Sequence, residues 1–395
     1  MLDVCFVLSG FPVLSETFVT QQIVGLLERG FDVSIVRDCA PSRRLVDFDA
    51  EPFRTLLTKT KPHWIAERWV RPVIDTLPHG IVRSGANAVV DIVSDIRLNG
   101  YDVLIAHFGG NGRRLARSKA FGALHRPFLT FFHGYDISIP FHAKEMDKYR
   151  RLISSGETLL PACGYFRDIL LGAGAQPDSV RVHHTGVDIA SIRFEPHPLP
   201  SDGLKFLSVG RLVEKKGTEY AVKALGLLRD RRPDLSWTYD VIASGMLISP
   251  LRQLVKDLDL EQRVRFLGPQ PHEHVVGYLR QADVLLHPCV TAENGDMEAC
   301  PVVLQEAMAA GLLVVSTSHS GIPELIESGK SGFLVPERDA EALGRQVEDI
   351  VDHPDRCKSI RREARAVVER HFNQARLNDA LAELIIETAA RHPRA

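Results

Sequence analysis

Residues 204–217 read Leu204-Lys205-Phe206-Leu207-Ser208-Val209-Gly210-Arg211-Leu212-Val213-Glu214-Lys215-Lys216-Gly217. Leu204–Val209 is a strand-length apolar run, and a helix is expected to begin at about Gly217. Arg211 and Lys216 stand in the connecting loop. Arg offers a planar fork and Lys a point charge, a pairing that suits a diphosphate. Gly217 lets the backbone approach closely, and the helix N-terminus adds positive potential. A solvated loop with ordinary surface cations would show the same residues.

The strand–loop–helix rhythm extends in both directions. Downstream, strands are expected at Tyr239–Ala243, Val264–Leu267, Val284–His287, Leu313–Ser316 and Phe333–Val335. Upstream they are expected at Val4–Leu8, Val33–Val36, Val103–His107, Phe128–Phe132, Thr158–Leu160 and Val180–Val182, with a helix from Ser15 that Gly30 stops. Continuous apolar runs of this length belong to parallel strands buried on both faces. The Pro-rich, aperiodic stretch Phe194–Gly203 reads as a linker. The fold class is therefore α/β, with two Rossmann-like doubly wound domains facing a cleft. The expected limits are 1–193 for an N-terminal domain and 194–203 for the linker. They are 204–372 for a C-terminal domain and 373–395 for a last helix packing back on the first domain. Ligands of such sheets bind at the carboxyl ends of the strands.

Composition narrows the class. The chain has 395 residues, 45% of them hydrophobic, and a formal net charge of −2, with no basic bias toward nucleic acid. Its six cysteines are scattered without a C-x-x-C pair, which fits reduced thiols and a cytoplasmic location. No signal peptide and no membrane-spanning run is expected. A G-x-G-x-x-G loop of the nicotinamide type is missing after the early strands.

Three further stretches carry chemistry. In Glu298-Ala299-Cys300-Pro301-Val302-Val303-Leu304-Gln305-Glu306, Pro301 is expected in the first turn of a helix. Glu298 then lies in the loop before it and Glu306 one to two turns inside. Carboxylates accept from sugar hydroxyls, and free N–H groups around Cys300–Val302 suit a diphosphate. An acid-capped helix N-terminus is the plainer reading. In Phe131-Phe132-His133-Gly134-Tyr135-Asp136, His133 ends a strand and Asp136 is placed to orient its imidazole. In Ser9-Gly10-Phe11-Pro12-Val13-Leu14-Ser15-Glu16-Thr17, Gly10 and the following helix make a binding loop, and Ser15 is also a natural helix cap.

Taken together, these stretches resemble the family-four retaining glycosyltransferases of GT-B fold, over nearly the whole chain. Within that family they are most similar to bacterial exopolysaccharide enzymes of the colanic-acid type. The likeness includes Asp283–Pro288, Ser320–Leu325, Gly332–Pro336, Phe11–Phe18 and the Asn294-Gly295-Asp296 stretch. It implies transfer of a hexose from a nucleotide-diphosphate sugar, a UDP-sugar first, with retention. The implied acceptor, bound by the N-terminal domain, is a glycan or a lipid-linked oligosaccharide, with a glycolipid or small-molecule acceptor as the alternative. The C-terminal domain is implied to bind the nucleotide sugar. Arg211 and Lys216 resemble the diphosphate clamp, Glu306 the ribose-binding carboxylate, Glu298 the holder of the transferred sugar, and His133 the first-domain residue beside the anomeric centre. Gly10, Ala299, Cys300, Pro301 and Val302 complete the implied donor site. Ala299 stands where the family usually has Gly, Leu313 where it has Pro, and Ala243–Met246 replaces a G-x-G-P near the base.

No cofactor and no metal are expected, because the two cations can balance the leaving diphosphate. The D-x-D pairs Asp47–Asp49 and Asp257–Asp259 read as loop and helix-surface residues. A basic, Trp-bearing segment (Lys59, Lys61, Trp64, Arg68, Trp69, Val70, Arg71, Arg83) and a second cluster (Arg113, Arg114, Arg117, Lys119) suggest peripheral contact with the cytoplasmic face of an inner membrane. A solvated surface is the alternative for both. Against a sugar-nucleotide epimerase or a phosphorylase stand the Glu298–Glu306 pair and the Gly210–Gly217 loop. Against a non-catalytic glycan-binding subunit stands the full set of Arg211, Lys216, Glu298, Glu306 and His133.

Overall fold

The computed structural model describes residues 1–11, 17–39, 58–62, 76, 81–200 and 203–393. The chain divides into two compact units: residues 1–162, 166–183 and 374–395 form the first, and residues 163–165 and 184–373 form the second.

In the first unit the strands are β1 (Asp3–Gly10), β2 (Asp32–Cys39), β3 (Thr60–Pro62), β4 (Val103–His107), β5 (Phe128–Phe132) and β6 (Thr158–Pro161). They pair in parallel in the order β3-β2-β1-β4-β5-β6. The helices are α1 (Thr17–Glu28), α2 (Ile81–Asp95), α3 (Gly109–Ala120), α4 (Tyr135–His142) and most of α5 (Gly164–Gly172). The apolar runs of β1, β4 and β5 are buried along their length, as strands covered on both faces must be. Val180–Val182 does not form the expected strand. Its backbone follows β6 through Arg181 N to Leu159 O and His183 N to Pro161 O, but only Val180 makes a bridge. Pro161 has no N–H to return, so the ladder cannot continue.

In the second unit the strands are β7 (Leu204–Arg211), β8 (Trp237–Ser244), β9 (Val264–Phe266), β10 (Val284–His287), β11 (Leu313–Thr317) and β12 (Phe333–Val335), again all parallel, in the order β12-β11-β10-β7-β8-β9. Its helices are α6 (Thr218–Arg231), α7 (Ile248–Asp257), α8 (His272–Gln281), α9 (Val302–Ala310), α10 (Ala340–Asp352) and α11 (Cys357–His371). The unit begins at His184, ten residues before the expected linker. Residues 184–196 are tied to it by Val187 N to Phe372 O, by Glu195 N to Ala310 O and by Arg365 Nη1 to Ile192 O.

Strand order reverses between β1 and β4 in one sheet and between β7 and β10 in the other. Crevices at such switch points take ligands. The residues closing these strands are Gly10, His107, Arg211 and His287.

The last helix, α12 (Gln374–Arg391), is part of the first unit. Leu381, Ala382, Leu384 and Ile385 enter the same core as Val4, Phe6, Ile23 and Leu26. Its closest approach is at Gly25 of α1, where an added Cβ would lie 1.8 Å from Asn378 Nδ2 and 2.5 Å from Asn378 Cγ. Arg29 locks the pair through Asp379 and the Ala375 carbonyl. Gly25→Ala should therefore destabilise the first unit by about 1–3 kcal/mol through overpacking. Asn378→Ala in the same chain should recover part of the loss, as read by urea unfolding.

Candidate active site

In the second unit β7 ends at Gly210 and Arg211, and residues 214–216 form a single 3-10 turn. Gly217 follows at φ 64°, and a Cβ there would sit 1.8 Å from the Pro288 carbonyl oxygen. Only glycine lets the turn lie so close to the end of β10. The turn is laced to that segment by Val290 N to Lys215 O and by Glu293 N to Glu214 Oε2.

This lacing gathers charge. Lys215 is 6% exposed, and its Nζ lies 3.0 Å from Asp296 Oδ1 and 3.1 Å from Glu298 Oε1. Lys216 Nζ meets the other oxygen of the same carboxylate, Glu298 Oε2, at 3.2 Å. It also lies 3.5 Å from His287 Nε2. Burial alone would raise the Glu298 pKa, but Lys216 and then Lys215 outweigh it and hold the carboxyl well below the usual range. Burial, reinforced by the charge of Lys216, pushes His287 down to about 3. The neutral imidazole can thus accept from the ammonium. For Lys215 burial works against charge, and Glu298 and Asp296 overcome it.

Glu298 is also fixed through its backbone. Its N–H donates to His319 Nε2 at 3.1 Å, and His319 Nδ1 lies 2.6 Å from Glu337 Oε1. That pattern assigns the Nδ1–H tautomer to His319. Arg211 is exposed and has no side-chain partner among the described residues. It lines one small depression with Gly210, Lys216, Thr218 and His287. Helix α9 begins at Val302, with Pro301 as its N-cap residue rather than in the first turn. The N–H groups of Val302 and Val303 have no intrahelical acceptor. Ala299 and Cys300 are buried, the thiol donating to the Gly321 carbonyl. Glu306, on α9, is raised to about 7 by burial, and His272 Nε2 lies 3.8 Å from its Oε1.

In the first unit His133 follows β5, and its Nε2 lies 2.9 Å from Nδ1 of His107, the last residue of β4. The two rings stack at 5.1 Å between centroids, with Phe131 4.7 Å from His107 and Phe18 4.5 Å from His133. Burial, then the neighbouring His183, lowers His133 to about 3, so the pair is neutral near pH 7. His133 Nδ1 finds no partner among the described residues. Asp136 does not orient this imidazole. Its carboxylate accepts from the backbone N–H groups of His133, Gly134 and Gly109 at 3.0, 3.0 and 2.8 Å. It thus staples the loops after β4 and β5 together. Gly10 closes β1, and the next part of its loop, residues 12–16, lies outside the described residues.

Sequence reasoning placed Lys216 on phosphate and Glu298 on sugar, and the structure brings the two into direct contact. It missed Lys215, Asp296, His319, Glu337 and His107. The Lys-Lys doublet and the N-G-D stretch were the available signals. Among the described residues, no three His, Cys, Asp or Glu side chains group as metal ligands. Asp257 accepts from Gln253 at 2.7 Å, and Asp47–Asp49 lie outside the described residues. In the second basic cluster Arg113 is exposed, whereas Arg114 is buried against Asp95, Arg117 pairs with Asp91 and Lys119 with Glu157. Lys59 pairs with Asp32, and Trp64, Arg68, Trp69, Val70 and Arg71 lie outside the described residues, as do the side chains of Lys61 and Arg83. No helix among the described residues is long and apolar enough to cross a membrane.

Comparison with known proteins agrees with this layout. Residues 191–367 match the family described as Glycosyl transferases group 1, and residues 15–191 match Glycosyltransferase Family 4. The amylovoran biosynthesis glycosyltransferase AmsK of Erwinia amylovora is 33% identical over 95% of this chain and 97% of its own length. WcaL of Salmonella typhimurium, named for colanic acid biosynthesis, is 33% identical over 97% of this chain and 99% of its own.

The chain belongs to the group 1 glycosyltransferases.

The fold extends to solved members of the class. HepE of Anabaena, in complex with UDP and glucose, superposes with a TM-score of 0.74 at 20% identity, over 98% of this chain and 100% of that one. Sucrose-phosphate synthase of Thermosynechococcus elongatus gives 0.76 at 17%, over 99% of this chain and 100% of that one. The fold of this glycosyltransferase is GT-B, built of two Rossmann-like parallel-sheet units.

Two of its carboxyls affect stability in opposite directions. Glu298 has a depressed pKa, so its contribution is present above the unfolded value near 4.5 and is lost as pH falls toward the folded one. Glu306 is raised, so its contribution is full below about 4.5 and is lost as pH rises through about 7. Urea midpoints measured from acid to neutral pH should show a shallower acid limb for Glu298→Gln. For Glu306→Gln the decline toward neutral pH should shrink.

Proposed function

We propose that this glycosyltransferase transfers a hexose from a nucleotide-diphosphate sugar, a UDP-sugar first, to a glycan or lipid-linked oligosaccharide in exopolysaccharide biosynthesis, with retention of configuration. The observation that carries the donor reading is the alignment at the β7/β10 switch point. Arg211, exposed and without a side-chain partner among the described residues, lines the same depression as Lys216. Beside them Glu298 is held ionised. The acceptor class is supported by the full-length likeness to proteins named for amylovoran and colanic acid biosynthesis.

Cleavage of the sugar–phosphate bond builds negative charge on the leaving oxygen. Arg211 and Lys216 are assigned to receive it, and no divalent cation is invoked. The leaving phosphate then accepts the acceptor hydroxyl proton on the face from which it departs. Glu298 is assigned to hydroxyls of the transferred sugar rather than to nucleophilic attack, because two ammonium groups lower its basicity. Glu306 is assigned to the ribose hydroxyls, and the free Val302 and Val303 N–H groups to phosphate oxygens. His133 is assigned to substrate contact through Nδ1.

Arg211→Ala and Lys216→Ala should each lower nucleotide release from UDP-glucose by about 10²-fold or more. Near-normal turnover in both would remove the clamp. Ribose hydroxyls favour the ionised form of Glu306, whose free pKa is about 7. Affinity for UDP should therefore rise as pH increases toward 7 and level off above it. Calorimetric titration of Glu306→Gln should show that slope flattened.

A further inference from the structure

The two adjacent lysines of the 3-10 turn differ in what they have left to give. An ammonium group has three N–H donors. Those of Lys215 face Asp296 Oδ1 at 3.0 Å, Glu298 Oε1 at 3.1 Å and the Met297 carbonyl at 3.4 Å. Its side chain is 8% exposed and its own carbonyl is bonded to Val290. The acceptor side is equally fixed. Residues 292–296 form a closed turn, with Ala292 N to Asp296 O, Asp296 N to Asn294 Oδ1, and Gly295 at φ 80°. Among the described residues Lys216 meets Glu298 Oε2 and His287 Nε2 alone, which leaves one donor.

We infer that Lys215 is a positioning residue, the fixed counter-ion of Glu298, which lets Lys216 leave that carboxylate for the donor diphosphate. The inference rests on the donor reading above. Glu298 is mostly buried, so a sole partner could not turn away without stranding a charge in a medium that solvates it poorly. With Lys215 bound to Oε1, Glu298 keeps a counter-ion at every stage. Asp296 balances the cluster, since two lysines then face two carboxylates. Lys215 itself, saturated and buried, does not touch the substrate.

The test is a double-mutant cycle read by UDP binding, which needs no turnover and no acceptor. Lys215→Met leaves Glu298 to hold Lys216 alone, so affinity for UDP should fall at least about tenfold. Glu298→Gln frees Lys216, so affinity should equal or exceed that of the unaltered protein. Adding Lys215→Met to Glu298→Gln should then change affinity by less than about twofold. Lys215→Arg, which keeps the charge, should recover most of the loss. An equal penalty from Lys215→Met with and without Glu298→Gln would mean that Lys215 only supports the fold, and would overturn the inference. So would unchanged affinity in Lys215→Met, if Lys216→Met weakens binding. If the unaltered protein and Lys216→Met bind UDP, GDP and ADP alike, the donor reading itself fails and the inference falls with it. Where Lys215→Met does not fold, Lys215→Gln with thermal unfolding as a control gives the same comparison.

Discussion

The carboxylate of Glu298 lies between the ammonium groups of Lys215 and Lys216, at 3.1 and 3.2 Å. A buried ion cluster of this kind is an expensive way to stabilise a fold, because desolvation consumes much of the attraction. Its value lies in preorganisation. The cluster is held in place by the 3-10 turn, by Gly217 against Pro288 and by the closed turn at residues 292–296. The His319–Glu337 pair secures the same loop from behind by accepting the Glu298 N–H. Much of the second unit's loop structure serves to keep this one carboxylate where it is.

The first unit solves a related problem with neutral groups. His107 and His133 are held uncharged by burial, stacked among phenylalanines and bonded to each other. The Asp136 carboxylate spends its acceptor capacity on three backbone amides, so the two strand-end loops carry His133 on a rigid support. One unit thus presents fixed charge at the switch point of its sheet, and the other a fixed neutral imidazole at the end of β5, one strand away from its switch point.

Most strands were legible in the sequence because they depend on local pattern, and so were the motifs that hold the candidate site residues. The three-residue β3 (Thr60–Pro62), too short for an apolar run, was not expected. Strand-length apolar runs ending in Gly, Arg or His gave the parallel sheets and their carboxyl ends. Arg211, Lys216, Glu298 and Glu306 could be picked out from the loop and helix motifs that contain them. What the sequence left unread depends on distant partners. Lys215 and Lys216 are adjacent and chemically identical, and only the position of residues 288–298 decides which is saturated. Asp136 was expected to serve an imidazole three residues away, but Gly109, 27 residues earlier, shares its carboxylate. The second basic cluster looked like a surface because its acidic partners Asp91, Asp95 and Glu157 are far away in sequence.

On the proposed function, the cluster at the end of β7 binds and activates a nucleotide-diphosphate sugar. The most direct measurement is nucleotide release by the purified protein from UDP-, GDP- and ADP-hexoses in parallel, with the anomer of the released sugar followed by NMR. Slow hydrolysis of one donor, greatest with UDP, is expected, with the donor's anomeric configuration in the first-formed sugar and loss of release on Lys216→Ala. Equal inertness toward every donor, without detectable binding of any of them, would contradict the proposed function.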